Sequence, residues 1–293
     1  MYQLIGLEWF DRTPYLVFNV LPEKSIKYKK LSGYLYIKRG GEQYCVGYHK
    51  LDTGVHIPCD NTTKMPGGKY KQCKKCEEKE GFYDCKICNG ESCHASNSIA
   101  LKYCNQEHLV YLAYFEPDII KVGTASEIRK EERLLEQGAL YFYYIANVNS
   151  GRAARIIERE ISKLGITTRV STKHKLCNFI IKQPKELIEK KMEKEYLRII
   201  SLLPKYRNNF LKKPIVNDFL YLSEQLRPDF EDEFYQLDFF SDHKTYKNYF
   251  IYKGDVIQGE YLGTIGSIIA LKNKNKTFIV DLKQFFGWEV FLD

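Results

Sequence analysis

Leu109-Val-Tyr-Leu-Ala-Tyr-Phe115, Glu116-Pro-Asp118, Ile119-Ile-Lys-Val-Gly123 is the stretch on which the fold turns. Its two runs of aliphatic and aromatic residues flank a Pro-Asp turn, which reads as a hairpin. Beyond it, Ser126 caps a helix that passes through Leu134-Leu135 to Gln137, and Gly138 holds the stop position. Tyr141 to Val148 predicts a third strand. A second helix runs from about Arg152 to Leu164 and is ended by Gly165. The order is β-β-α-β-α, within a domain spanning 109–183.

On the N-terminal side, residues 45–108 hold eight of the nine cysteines and little periodicity, which reads as a loop-rich metal module. Residues 1–44 alternate apolar and polar positions, as in Tyr15-Leu-Val-Phe-Asn-Val20 and Gly33-Tyr-Leu-Tyr-Ile-Lys38, so they predict strands. On the C-terminal side, Pro184 opens a helix with Ile188, Met192, Tyr196, Ile200 and Leu203 on one stripe. Residues 205–247 are polar and irregular, with an acidic stretch at Asp229–Glu233, so 184–247 reads as a helix and a linker. From Tyr249 strands return between glycines. Residues 248–293 are expected to form a small β-barrel-like unit, completed by the N-terminal strands. The fold class is α+β: a Cys-rich zinc module, a β-β-α-β-α domain and a C-terminal β unit.

Cys73-x2-Cys76 is followed nine residues later by Cys85-x2-Cys88. Each such knuckle presents two thiolates to one tetrahedral ion. Eight cysteines make two four-thiolate sites: Cys45, Cys59, Cys73 and Cys76 for one, Cys85, Cys88, Cys93 and Cys104 for the other. His49, His94 or His108 could replace a distant cysteine. Soft all-thiolate ligation favours Zn²⁺, two structural ions here, with an Fe–S cluster as the alternative. Cys177 stands apart and reads as a small buried hydrophobe.

Composition limits the partners. Of 293 residues 44% are hydrophobic and 28% charged, ordinary for a soluble protein. No run of 18 apolar residues exists, so no membrane partner is expected. The start, MYQLIGLEWFDRTPY, lacks a basic region followed by an uninterrupted apolar one. A cytoplasmic, reducing location is therefore expected, where clustered cysteines hold metal. The net charge of +8 lies wholly in residues 1–183, where 28 basic groups face 20 acidic ones. It is densest around Arg152, Arg155, Arg159, Lys163, Arg169, Lys173 and Lys175, a candidate phosphate-binding footprint.

Val110-Tyr111 followed by Lys121-Val122-Gly123 resembles the two short motifs that name the GIY-YIG nuclease superfamily. The superfamily core has the same order of elements, with an Arg on its first helix and a Glu on its second; Arg133 and Glu158 stand there. The resemblance implies that Tyr111 assists water activation, Arg133 holds the scissile phosphate, and Glu158 binds a Mg²⁺-type ion. Lys121 departs from the pattern by replacing a Tyr; it can contact phosphate but brings no hydroxyl. Glu158 can equally pair with Arg155 on its own helix, and Arg133 with Glu136. The wider chain, from the knuckles through His108 to Gln137-Gly138-Ala139, is similar to an uncharacterised prokaryotic family of unknown function.

The expectation is a zinc-stabilised nucleic-acid-binding protein, with metal-dependent phosphodiester endonuclease chemistry as its catalytic form. The alternatives are a non-catalytic RNA- or ribonucleoprotein-binding module and a protein–protein adaptor. Tolerance of losing Glu158 separates binder from nuclease; a flat salt dependence of nucleic-acid affinity marks the adaptor.

Overall fold

The computed structural model describes residues 1–68, 70–95, 97–180, 183–218, 249–251, 255–274 and 276–293. The chain forms two units, one built from 1–47, 58–73 and the described part of 222–293, the other from 48–57 and the described part of 74–221.

The first unit opens with β1 (Tyr2–Phe10), β2 (Thr13–Val20), β3 (Ser25–Lys30) and β4 (Tyr34–Gln43). The second unit follows with β5 (Tyr48–His49), β6 (His56–Ile57), α1 (Lys74–Glu80), α2 (Ser98–Cys104), β7 (His108–Phe115) and β8 (Ile119–Ser126). It continues with α3 (Lys130–Gln137), β9 (Tyr141–Val148), α4 (Gly151–Ser162), α5 (Thr172–Ile180), α6 (Lys185–Leu202) and β10 (Phe210–Asp218). The first unit then resumes with β11 (Tyr249–Ile251), β12 (Val256–Ile265), β13 (Ile268–Asn273), β14 (Lys276–Asp281) and β15 (Trp288–Leu292).

The first unit carries a nine-stranded sheet in the order β11-β14-β13-β12-β4-β15-β1-β2-β3. The N-terminal strands and those of 248–293 are thus neighbours in one sheet. β15 lies between β4 and β1, with Val290 opposite both Arg39 and Tyr2. Alternation supplies the core: Leu16 and Phe18 from β2, Leu35 and Ile37 from β4, meet Ile257, Leu271, Val280 and Val290. Each such side chain contributes on the order of 1.5–3 kcal/mol on burial.

The second unit is an antiparallel sheet, β10-β9-β7-β8, covered by helices. All eight residues of β7 are buried, which explains its unbroken apolar reading. One face places Val110, Leu112 and Tyr114 against Ala154, Ile157 and Ile161 of α4 and Ile188, Met192 and Ile199 of α6. Ser150 caps α4, its side chain accepting from the Ala153 N–H. Gly138 ends α3 in the left-handed conformation, φ 71°, its N–H shared between the carbonyls of Leu134 and Leu135. Cys177 on α5 is fully buried.

Two elements depart from the sequence reading. α5 has no strong apolar stripe. Residues 210–218, read as irregular, form β10 at the edge of the sheet beside β9. Lys212, Lys213 and Pro214 concealed it, because charges and proline are what an edge strand accepts. The acidic stretch Asp229–Glu233 lies outside the described residues. Among those described, no helix is long and apolar enough to cross a membrane.

Candidate functional site

The first cysteine set is assembled by the backbone around it. Gln3, fully buried in β1, donates from Nε2 to the carbonyls of Tyr44 (2.9 Å) and Cys45 (3.2 Å), fixing the chain where β4 ends. The Cys45 N–H donates to Thr63 O, and Val46 N–H to Lys71 O, folding 58–73 back over that point. Cys45 Sγ accepts from the backbone N–H groups of Gly47 (3.4 Å) and Cys73 (3.1 Å), an arrangement that favours thiolate. Cys76 follows Cys73 by one knuckle, in the first turn of α1. The four sulfurs of Cys45, Cys59, Cys73 and Cys76 lie within 4.8 Å of one another.

The donor set fits zinc. Four Zn–S bonds of about 2.3 Å in a tetrahedron separate the sulfurs by about 3.8 Å, and Cys59 and Cys73 are 3.9 Å apart. Cys45, Cys59 and Cys76 are buried. Burial pushes the Cys45 thiol up to about 11. A doubly charged ion amid the four offsets that cost, which is how such sites contribute to folding.

Three of the remaining cysteines line a cavity of about 200 Å³ in the second unit. Cys85, Cys88 and Cys104 line it, with Tyr103, His108, Arg129, Arg133 and Arg155 among their neighbours. Cys93 is exposed. Burial, with Cys104, Cys88 and Cys93 adding to it, pushes the Cys85 thiol up to about 11.

A third group sits on the sheet. Register sets Tyr111 opposite Gly123, and alternation puts Tyr111, Lys121 and Gly123 on one face. Tyr111 is 1% exposed, and a Cβ at Gly123 would stand 2.4 Å from its Cζ and Oη. Gly123→Ala is therefore expected to cost about 3 kcal/mol, the upper end for overpacking; an unchanged melting temperature would show that the ring moves aside freely.

Lys121, 7% exposed, donates from Nζ to Gln137 Oε1 (2.6 Å) and stands 5.9 Å from the Tyr111 ring centroid. Gln137 thus does more than end a helix, a role that its place beside Gly138 hides. Burial, reinforced by Arg133, Lys175 and Arg155 and opposed by Glu158, lowers the Lys121 ammonium to about 7. Burial likewise raises Tyr111 to about 12, with Arg133 and Arg155 pulling down and Glu158 pushing up. Tyr111, Lys121, Arg133, Arg155 and Glu158 thus share one electrostatic neighbourhood.

Lys121 also predicts a pH dependence of stability. Between about 7 and its ordinary value of 10.5 the amine is neutral when folded and charged when unfolded. The unfolded state then binds more protons, so stability rises with pH across this window and is lost as pH falls towards 7. Lys121→Met is expected to flatten that slope and raise neutral-pH stability by on the order of a few kcal/mol. Melting curves from pH 7 to 9 check this, and a variant that keeps the parental slope would assign it elsewhere.

The group is graded in exposure. Tyr111 and Lys121 are covered, Glu158 exposes 12% of its side chain and Arg133 46%. Arg155 Nη1 donates to Glu158 Oε2 (2.7 Å), and Arg133 Nη1 lies 3.5 Å from Glu136 Oε2, the pairs that helical spacing anticipates. The basic residues of α4 are likewise engaged. Arg152 donates to the carbonyls of Gly90 (2.8 Å) and Glu91 (2.7 Å), Arg159 pairs with Glu91 and Glu160, and Lys163 with Glu160. Arg169 is exposed, and Lys175 stands 5.9 Å from the Phe115 ring centroid. The Lys173 side chain lies outside the described residues.

A family model described as a protein of unknown function matches residues 34–290. No curated protein and no solved structure matches the chain.

Proposed function

The chain belongs to the DUF2797 family of proteins of unknown function, and from that premise we propose a zinc-stabilised nucleic-acid-binding protein whose second unit hydrolyses phosphodiester bonds. One observation carries this reading: Arg133 from α3 and Glu158 from α4 both stand close enough to buried Tyr111 of β7 and Lys121 of β8 to act on their charge. These are the residues that the GIY-YIG resemblance implies. The order β7, β8, α3, β9, α4 supports it further.

In this reading zinc at Cys45, Cys59, Cys73 and Cys76 is structural. Arg133, the outermost of the group, meets the scissile phosphate and stabilises its developing charge. Lys121 lies beneath it, held by Gln137, and Tyr111 orients the attacking water. Glu158, a single hard carboxylate, would hold a Mg²⁺-type ion, which would supply Lewis acidity to the reaction. Arg155, which pairs with Glu158, would be the nearest guanidinium to the phosphate backbone if that carboxylate held an ion.

A second reading is favoured by one feature, the cover over Tyr111. With Arg133 and Arg155 on the surface and no reaction beneath, the same unit would be a platform for RNA or a ribonucleoprotein.

The test is incubation of the full chain with single- and double-stranded DNA and RNA, with Mg²⁺ and without it. Mg²⁺-dependent cleavage supports the hydrolase. Intact substrates with tight, salt-sensitive binding leave the platform, and neither binding nor cleavage overturns both.

A further inference from the structure

We propose that the second unit holds its own zinc ion through Cys85, Cys88, Cys104 and His108, with Cys93 outside the ligand set. The expectation from cysteine spacing alone was Cys93, and three features of the cavity favour the histidine.

The first is the hydrogen bonding of the ring. His108 Nδ1 lies 2.9 Å from the Gln106 carbonyl, which can only accept, so Nδ1 carries the proton and Nε2 the lone pair. That is the tautomer a metal ligand needs, with the backbone carbonyl as the outer partner that orients it.

The second is clearance. A Cβ at position 151 would stand 3.0 Å from Nε2, so glycine leaves room beside the coordinating nitrogen. Tyr103 packs edge-on to the ring at 5.2 Å between centroids and fixes its plane. Tyr103 adjoins Cys104, and Cys104-x3-His108 is a short spacing of the kind zinc modules use.

The third is the arrangement of the donors. Cys85, Cys88, Cys104 and His108 all line one cavity, on which Arg129, Arg133 and Arg155 also border. Three thiolates and one neutral imidazole around Zn²⁺ carry a net charge of −1, which these guanidinium groups complement. Cys93 is exposed. Its loop is held to α4 by Arg152, through Gly90 O and Glu91 O. A Cβ on Gly90 would stand 2.6 Å from the Ile156 side chain. Among the described residues only the first set already brings all its sulfurs within 4.8 Å. No three of Cys85, Cys88, Cys104 and His108 stand that close, so binding would draw them together across the cavity they line.

The proposal concerns folding of the second unit and does not depend on the hydrolase reading. The experiment is metal analysis of the full purified chain and its variants by mass spectrometry. Two zinc ions per chain are expected in the parent and in Cys93→Ser, and one in His108→Ala. Zinc-edge X-ray absorption of the parent covers the case in which His108→Ala fails to fold. Over two ions it should show seven sulfur ligands and one nitrogen. A pure sulfur shell, a single ion in the parent, or loss of an ion from Cys93→Ser but not from His108→Ala would each overturn the assignment.

Discussion

Cys76→Ser is expected to lose one metal ion per chain and to lower the melting temperature by about 10 °C or more. A serine hydroxyl has nearly the size of the thiol but is a poor ligand for a soft, four-thiolate zinc site. What remains is three thiols, Cys45 and Cys59 buried and Cys73 half-buried, of which Cys45 is already raised by burial, and no ion amid them. Structural zinc in peptides contributes about 10–16 kcal/mol of apparent binding energy. Even a fraction of that rivals the whole stability of a domain, about 5–15 kcal/mol. Between Tyr44 and Cys73, tertiary order in the first unit rests on an isolated bridge from Tyr44 to Lys64 and a few backbone bonds. Protease cleavage between residues 60 and 73 should therefore accelerate in the variant and in the parent treated with a chelator. A variant with parental metal content and melting behaviour would mean that these thiols hold no ion.

On the hydrolase reading, Arg133→Ala and Glu158→Gln are expected to reduce Mg²⁺-dependent cleavage by about 10²- to 10³-fold each, while nucleic-acid binding stays within a few-fold of the parent. The first figure is the usual consequence of removing one preorganised stabiliser of developing charge. The second follows from replacing a hard anionic ligand with an amide, which Mg²⁺ binds poorly. Glutamine preserves shape and can still accept from Arg155, so the 2.7 Å contact need not be lost. Arg133 is half exposed and paired only with Glu136, at 3.5 Å, so its removal should cost under about 1 kcal/mol of stability. Single-turnover cleavage measured beside equilibrium binding separates the two effects. Parental cleavage rates in both variants would remove Arg133 and Glu158 from the chemistry.

Legibility in the sequence followed the strength of local signals. The segment 109–162 was readable because glycine stops and unbroken apolar strands agree there; Ser126, read as a helix cap, instead ends β8 with no side-chain cap bond, and α3 begins only at Lys130. Strand β7 spans His108–Phe115 and α4 spans Gly151–Ser162, within a few residues of their expected bounds. The first cysteine set was readable as a set because two ligands come from one knuckle and few partners remained. What spacing could not supply was direction. The pairing of Lys121 with Gln137 joins residues from a strand and a helix. The orientation of His108 is a property of a backbone carbonyl two residues earlier. The helix α5 and edge strand β10 carry too weak or too polar a pattern to announce themselves.

The interleaving of the two units along the chain has a consequence for synthesis. Strands β1 to β4 leave the ribosome before the second unit, yet the positions beside β4 and β1 are filled by β12 and β15. Nearly all of the second unit emerges between them. Domains fold as they emerge, so the later-started unit can finish first while β1 and β4 wait with open hydrogen-bonding edges. Such edges invite pairing with another chain. The period of greatest exposure to misassembly is therefore the interval in which residues 48–255 are being translated.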